Sequence, residues 1–214
     1  MILAPGTRLL FIGDSITDGE RARPVGEGLF GAEGKSYVAL VNAHLQATRP
    51  QERIRVVNMG ISGNTVADLE KRWTTDVLDL RPDWLSIMIG INDVWRQHDL
   101  PNHTEIHIRE DDYTATLDRL VRETRPRLQG LILMTPFFIE PNRKDPMRAM
   151  MDRYGGAVKT IARNHDALIV DTQAAFDTFL EHRHSSSIAW DRIHPNLTGH
   201  TLLARAFLQA IRAL

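Results

Sequence analysis

The sequence predicts an α/β fold, a three-layer α/β/α sandwich around a central parallel sheet of about five strands. Three observations carry that prediction. Five short runs rich in Val, Ile and Leu recur along the chain, and they are near-continuously apolar, as strands buried on both faces are. Segments with helical periodicity lie between them, so strand and helix alternate. No repeat, low-complexity stretch or linker interrupts the pattern, so residues 1–214 are expected to form one domain.

Each element has its own signal. "LLFIG" (9–13) is the first strand. "SYVALVNAHLQA" (36–47) follows as a helix with Tyr37, Leu40, Val41 and Leu45 on one face. "IRVVNMG" (54–60) and "WLSIMIG" (84–90) are the second and third strands. "YTATLDRLVRETR" (113–125) is a helix that sets Leu117, Leu120 and Val121 on one side, before the fourth strand, "LILMTP" (131–136). Asp145 and Pro146 open the next helix, 145–165, as a cap followed by proline at the first helical position. Its Gly155–Gly156 pair argues against an unbroken helix. "ALIVDT" (167–172) is the fifth strand, and "LTGHTLLARAFLQAIRAL" closes the chain as a helix.

Composition removes several classes of function. Lys and Arg number 26 against 27 Asp and Glu, with no run of five like charges, so neither nucleic acid nor an anionic membrane is an expected partner. There is no cysteine, hence no disulfide, thiolate nucleophile or cysteine zinc site. "MILAPGTRLLFIGD" lacks the charged, apolar and small-residue layout of a signal peptide, and no run reaches membrane-spanning length. A cytoplasmic location is the expectation.

In a doubly wound sheet, ligands bind beyond the carboxyl ends of the strands. Gly13-Asp14-Ser15 follows the first strand, Gly60-Ile61-Ser62-Gly63-Asn64 the second and Gly90-Ile91-Asn92-Asp93 the third, so all three gather at one rim. A serine hydroxyl there needs a base to act as a nucleophile. "WDRIHPN" offers one: on a helical turn, the three-residue spacing of Asp191 and His194 puts both side chains on the same side. The carboxylate can then take the imidazole Nδ1–H and leave Nε2 to accept the serine proton. An oxyanion hole would draw on the Ser15 and Gly63 backbone N–H groups and the Asn92 side-chain amide. Each fragment alone has a plain structural reading: G-D-S is a common turn in which Asp14 organises the backbone, "GIND" a strand ending in an Asx turn, and "DRIH" a polar loop. Together, in order and at strand ends, they point to acyl transfer.

"FIGDSITDG", "NMGISGNT", "GINDVW" and "DRIHPN" together resemble the four motif blocks of the SGNH (GDSL) hydrolases, and the resemblance spans essentially the whole chain. It implies a flavodoxin-like SGNH hydrolase fold with no cofactor or metal. It also implies Ser15 as nucleophile, His194 as base, Asp191 as its orienting acid, and Gly63 and Asn92 as oxyanion donors beside the Ser15 amide. "ERARPVGEG", "SIMIGINDVWRQ", "LMTPFFIEPN" and "AWDRIHP" are similar to bacterial carbohydrate esterases of the acetyl-xylan esterase type. The implied activity is removal of acetyl groups from sugar hydroxyls, with an acetylated xylo-oligosaccharide as substrate. Trp95, Arg96 and Trp190, beside the motif residues, are candidate sugar contacts, with core packing the alternative for the tryptophans.

Other readings have less behind them. The G-x-S-x-G elbow is absent and Ser62 has no matched base. His103 and His107 lack the H-E-x-x-H order, the "HRH" of 182–184 reads as an exposed helix end, and no phosphate-binding glycine loop follows the first strand. Lysophospholipase or thioesterase activity could run on the same residues, and a catalytically silent carbohydrate-binding module is the alternative of a different class. The apolar C-terminal helix would allow a homo-oligomer.

Overall fold

The computed structural model describes residues 1–214. Five parallel strands, β1 (Arg8–Gly13), β2 (Arg55–Asn58), β3 (Trp84–Met88), β4 (Gly130–Met134) and β5 (Leu168–Val170), form one sheet in the order β2-β1-β3-β4-β5. The chain leaves β1 in one direction to make β2 and returns to the other side of β1 to make β3. That reversal opens a crevice above the carboxyl ends of β1 and β3, the place where such sheets hold ligands. In register, Leu9 pairs with Trp84 and Gly13 with Met88, so β1 and β3 end level beneath the crevice.

Eight helices cover the sheet: α1 (Ser15–Asp18), α2 (Tyr37–Thr48), α3 (Val66–Trp73), α4 (Ile91–Asp99), α5 (Glu110–Thr124), α6 (Pro146–Asn164), α7 (Thr172–Leu180) and α8 (Leu197–Ala210). Right-handed crossovers put α2 and α8 together on one face, with α7 beside α8, and α3, α5 and α6 in a row on the other. A continuous apolar core joins the layers. At its centre Phe11 of β1 packs between Tyr37 of α2 and Phe207 of α8, with ring centroids 5.8 and 4.8 Å away. Fully burying such a side chain stabilises the fold by about 1.5–3 kcal/mol.

The expected elements are present, with shifted ends that have local causes. β2 stops at Asn58 instead of residue 60. The Asn58 amide donates to the carbonyls of Thr17, Asp18 and Glu33, and its oxygen accepts from Gly60 N, which turns the chain away from the ladder. β3 stops at Met88, and "GIND" opens α4 rather than closing in an Asx turn. The glycine pair does not break α6. Met151, Tyr154, Val158 and Ile161 anchor that helix on both sides of it, and their burial outweighs a cost of about 1 kcal/mol per glycine. The segment carrying Asp191 and His194 is a turn, not a helix. No helix is long and apolar enough to cross a membrane.

Candidate active site

Ser15 is the first residue of α1, delivered by β1 onto a tight turn. The Asp14 carboxylate caps that helix by accepting from Ile16 N at 3.0 Å. Burial pushes the Asp14 carboxyl up to about 7, against the lowering effect of that hydrogen bond. Gly13 is required by space: a Cβ there would sit 2.3 Å from the Met88 carbonyl oxygen and 2.5 Å from Thr17 Oγ1.

The remote segment reaches back to this turn. Ser15 Oγ lies 2.9 Å from His194 Nε2, and His194 Nδ1 lies 2.6 Å from Asp191 Oδ2. With the carboxylate taking the Nδ1 proton, Nε2 is left to accept the serine hydroxyl. The other carboxylate oxygen, Asp191 Oδ1, accepts from the backbone N–H groups of Ile193 and His194 at 2.9 and 2.8 Å. Burial raises the Asp191 carboxyl, but the hydrogen bonds from the His194 side chain and from these two amides outweigh it and hold the group below its ordinary value. An Asp-capped turn therefore achieves what the three-residue spacing suggested on a helix.

This turn is braced from β4. Arg192, with φ of +62°, gives its carbonyl to Ile139 N at 2.9 Å, sits over the Phe138 ring at 5.0 Å and pairs with Glu140 at 2.5 Å. The "PFFIE" stretch after β4 is thus the support of the histidine.

The candidate donors lie at three strand ends. Asn92, 3% exposed, is the second residue of α4. Its Nδ2 donates to the Asn64 carbonyl at 3.0 Å, which fixes the amide's orientation and leaves a second N–H free. Gly63 adopts φ of +83°, a conformation that favours glycine. Neither the Ser15 nor the Gly63 amide N–H donates to another group of the protein. The site therefore has a serine–histidine–aspartate relay and three unspent N–H groups, the equipment of acyl transfer to water.

Trp95 is half-buried and meets the His194 ring edge-on at a centroid distance of 6.1 Å. The Arg96 guanidinium lies 4.1 Å over the Trp95 ring and pairs with Asp99. Trp190 is 91% exposed beside Asp191. Ser62 gives its hydroxyl and its amide to Asp18, a structural tie. His103 pairs with Glu105, while His107 Nε2 meets the Leu100 carbonyl.

Sequence reasoning missed two groups. By sequence Asp93 belongs to a turn, but its Oδ1 accepts from Val66 N at 3.0 Å across the crevice, holding the start of α3 against α4. Its Oδ2 is buried without a partner, and burial pushes the carboxyl up to about 7 despite that bond. Arg72 on α3 contacts both the β1 and β2 ends of the site. The basic end of "VADLEKRW" reads only as a helix-dipole feature, so no sequence signal singled it out.

Residues 11–202 match the model of the GDSL-like lipase/acylhydrolase family, and the chain belongs to that family; it is a carboxylic ester hydrolase. An acetylxylan esterase from Geobacillus stearothermophilus is 59% identical over 211 residues, spanning 99% of this chain and 96% of that one. The crystal structure of that organism's acetylxylan esterase Axe2 has the same fold, with a TM-score of 0.98 at 59% identity over 99% of this chain and 96% of that one. Solved forms of Axe2 include catalytic mutants S15A, D191A and H194A, which share residue type and number with the three relay residues here. LAE5, an α/β hydrolase enzyme from the metagenome of Lake Arreo, Spain, is 55% identical over 100% of this chain and 99% of its own, with a TM-score of 0.99.

Proposed function

We propose that residues 1–214 form one serine esterase domain that removes acetyl groups from sugar hydroxyls, with short acetylated xylo-oligosaccharides as substrates. Ser15 Oγ attacks the acetyl carbonyl while His194 Nε2 takes its proton, and Asp191 holds the resulting imidazolium. The tetrahedral oxyanion sits among the Ser15 N–H, the Gly63 N–H and the free Asn92 N–H. Collapse expels the sugar oxygen, protonated by His194, and leaves acetyl on Ser15. Water activated by His194 then releases acetate. The observation that carries this reading is the relay of 2.9 and 2.6 Å beside three unspent donors.

The choice of substrate is supported by the similarity to acetylxylan esterases, some solved forms of which are described as an acetyl-xylooligosaccharide esterase. Trp190 presents an open aromatic face at the rim, which suits stacking against a sugar. Arg96 is already engaged with Trp95 and Asp99, so its part is to hold Trp95 beside His194. Short oligosaccharide substrates fit a cytoplasmic enzyme acting on imported fragments. A homo-oligomer finds its support in the exposed apolar side chains Leu29, Phe30, Trp190 and Leu197. The C-terminal helix spends its apolar face within the chain, on α2 and α7.

A rate panel tests the function. Peracetylated xylose and xylo-oligosaccharides should be hydrolysed readily, and kcat/KM on p-nitrophenyl esters should fall from acetyl to butyryl and beyond. A long acyl groove would instead add about 0.8 kcal/mol of binding for each buried methylene. Rates climbing from acetyl to octanoyl, or favouring acyl-thioesters, would refute the assignment. Ser15→Ala should lose turnover by a factor on the order of 10⁴ to 10⁶ while remaining folded.

A further inference from the structure

Arg72 has a side chain only 13% exposed, and its guanidinium faces the underside of the site. Nε donates to Asn64 Oδ1 at 2.7 Å, Nη2 to the Gly13 carbonyl at 3.1 Å, and Nη1 to the Met59 carbonyl at 2.7 Å. Asp76, one turn further along, accepts from Nη1 at 2.7 Å and balances the charge. Gly13 lies two residues before Ser15, and Asn64 directly follows Gly63. The Asn64 carbonyl is also the acceptor that orients Asn92. One rigid planar group thus touches the chain beside each oxyanion donor, or the group that orients it. Other ties join the two strand ends, from Ser62 to Asp18 and from Asn58 to the carbonyls of Thr17 and Asp18, but only Arg72 reaches the Asn64 side chain. Ile61 N donates to the Gly13 carbonyl at 3.0 Å, and the turn around Gly63 closes on a hydrogen bond from Asn64 N to Ile61 O of 3.3 Å.

We propose that Arg72 is a positioning residue for ester hydrolysis, setting the spacing of the Ser15, Gly63 and Asn92 donors by clamping the Gly13 carbonyl and the Asn64 side chain together. The proposal rests on the reading that these three donors hold the oxyanion. Arginine suits the task because its donors form a fixed planar fork; a lysine ammonium could keep the pair with Asp76 but not bridge three acceptors spread around that plane. The clamp acts on groups that bind the tetrahedral state, so its loss should appear in the chemical step and leave ground-state binding alone.

The test is Arg72→Lys, measured with Ser15→Ala and Asn64→Ala as companions on an acetyl ester. Arg72→Lys should lower kcat by about 10- to 100-fold, the scale of a misplacement near 1 Å, with KM within about twofold of wild type. Inhibition by methylboronic acid, whose serine adduct places an oxygen among the donors, should weaken by a similar factor. Asn64→Ala removes one jaw of the clamp but leaves the arginine paired with Asp76 and bonded to the Gly13 and Met59 carbonyls. It should show the same signature more mildly, and the double variant should be no worse than Arg72→Lys alone. Should Arg72→Lys fail to fold, the kcat and boronate measurements on Asn64→Ala decide. A wild-type kcat, a loss confined to KM or to the melting temperature, or additive effects in the double variant would overturn the clamp. Ester hydrolysis surviving in Ser15→Ala would overturn the reading beneath it, whereas a dead Ser15→Ala beside an unimpaired Arg72→Lys would defeat the clamp alone.

Discussion

Asn92 has two N–H bonds on its amide, and only one is spent inside the protein, on the Asn64 carbonyl. In the proposed mechanism the spent bond aims the free one, so no reorganisation is needed when charge develops on the substrate oxygen. Asn92→Ala should therefore lower kcat by roughly 10²–10³ with little change in KM. Asn92→Asp should be more damaging still, because it sets carboxylate oxygens against both the developing oxyanion and the Asn64 carbonyl. Steady-state kinetics of the two variants provide the check, and a loss seen mainly in KM would make Asn92 a ground-state contact instead.

At the scale of elements, the proposed nucleophile and its base arrive on parts of the chain 179 residues apart. β1 and its capped turn hold Ser15 rigidly, whereas His194 depends on a turn that is half-exposed and contains a positive-φ arginine. What secures it is the brace from Phe138, Ile139 and Glu140. Arg192→Ala removes the pair with Glu140 and the contact with Phe138 but keeps the backbone strain. About tenfold in kcat should be lost, on the scale of a sub-ångström shift of the base. Arg192→Gly relieves the strain and also frees the turn, so it should be at least as impaired. Activity within twofold of wild type for both variants would show that the Asp191 cap alone suffices.

Across the whole molecule, two buried carboxyls and a half-buried histidine pull stability in opposite directions with pH. Burial pushes Asp14 and Asp93 each up to about 7. Their contribution is fully present below an unfolded carboxylate value of about 4 and is lost as pH rises towards 7. His200 is pushed down to about 4, chiefly by burial and secondarily by the charge of His194, and its Nδ1 accepts from Tyr37 N at 3.2 Å. Its contribution is present above the unfolded histidine value of about 6.5 and is lost as pH falls towards 4. Between pH 5 and 6.5 two falling terms oppose one rising term, so the folded state should weaken by about 1–2 kcal/mol over that window. Urea unfolding at the two pH values would measure this. Asp93→Asn should flatten the dependence and His200→Asn should steepen it. A wild-type stability that rises between pH 5 and 6.5 would contradict the assignment.

How much of this is legible in the sequence follows from the range over which each signal acts. Apolar runs alternating with periodic helices name a doubly wound sheet because strands buried on both faces cannot afford polar residues. That rule, with four motif blocks placed just after strands or near the end of the chain, was enough to nominate Ser15, Gly63, Asn92, Asp191 and His194. Local chemistry also made the cap of α6 readable at Asp145 and Pro146. Element ends were not readable where a distant group set them, as Asn58 does for β2 by bonding the carbonyls of Thr17, Asp18 and Glu33. Nor were the brace on Arg192, the partnerless Oδ2 of Asp93 or the reach of Arg72 into two strand ends. A side chain's composition and spacing describe its own turn, while its partners across the crevice exist only once the sheet order β2-β1-β3 has brought them together.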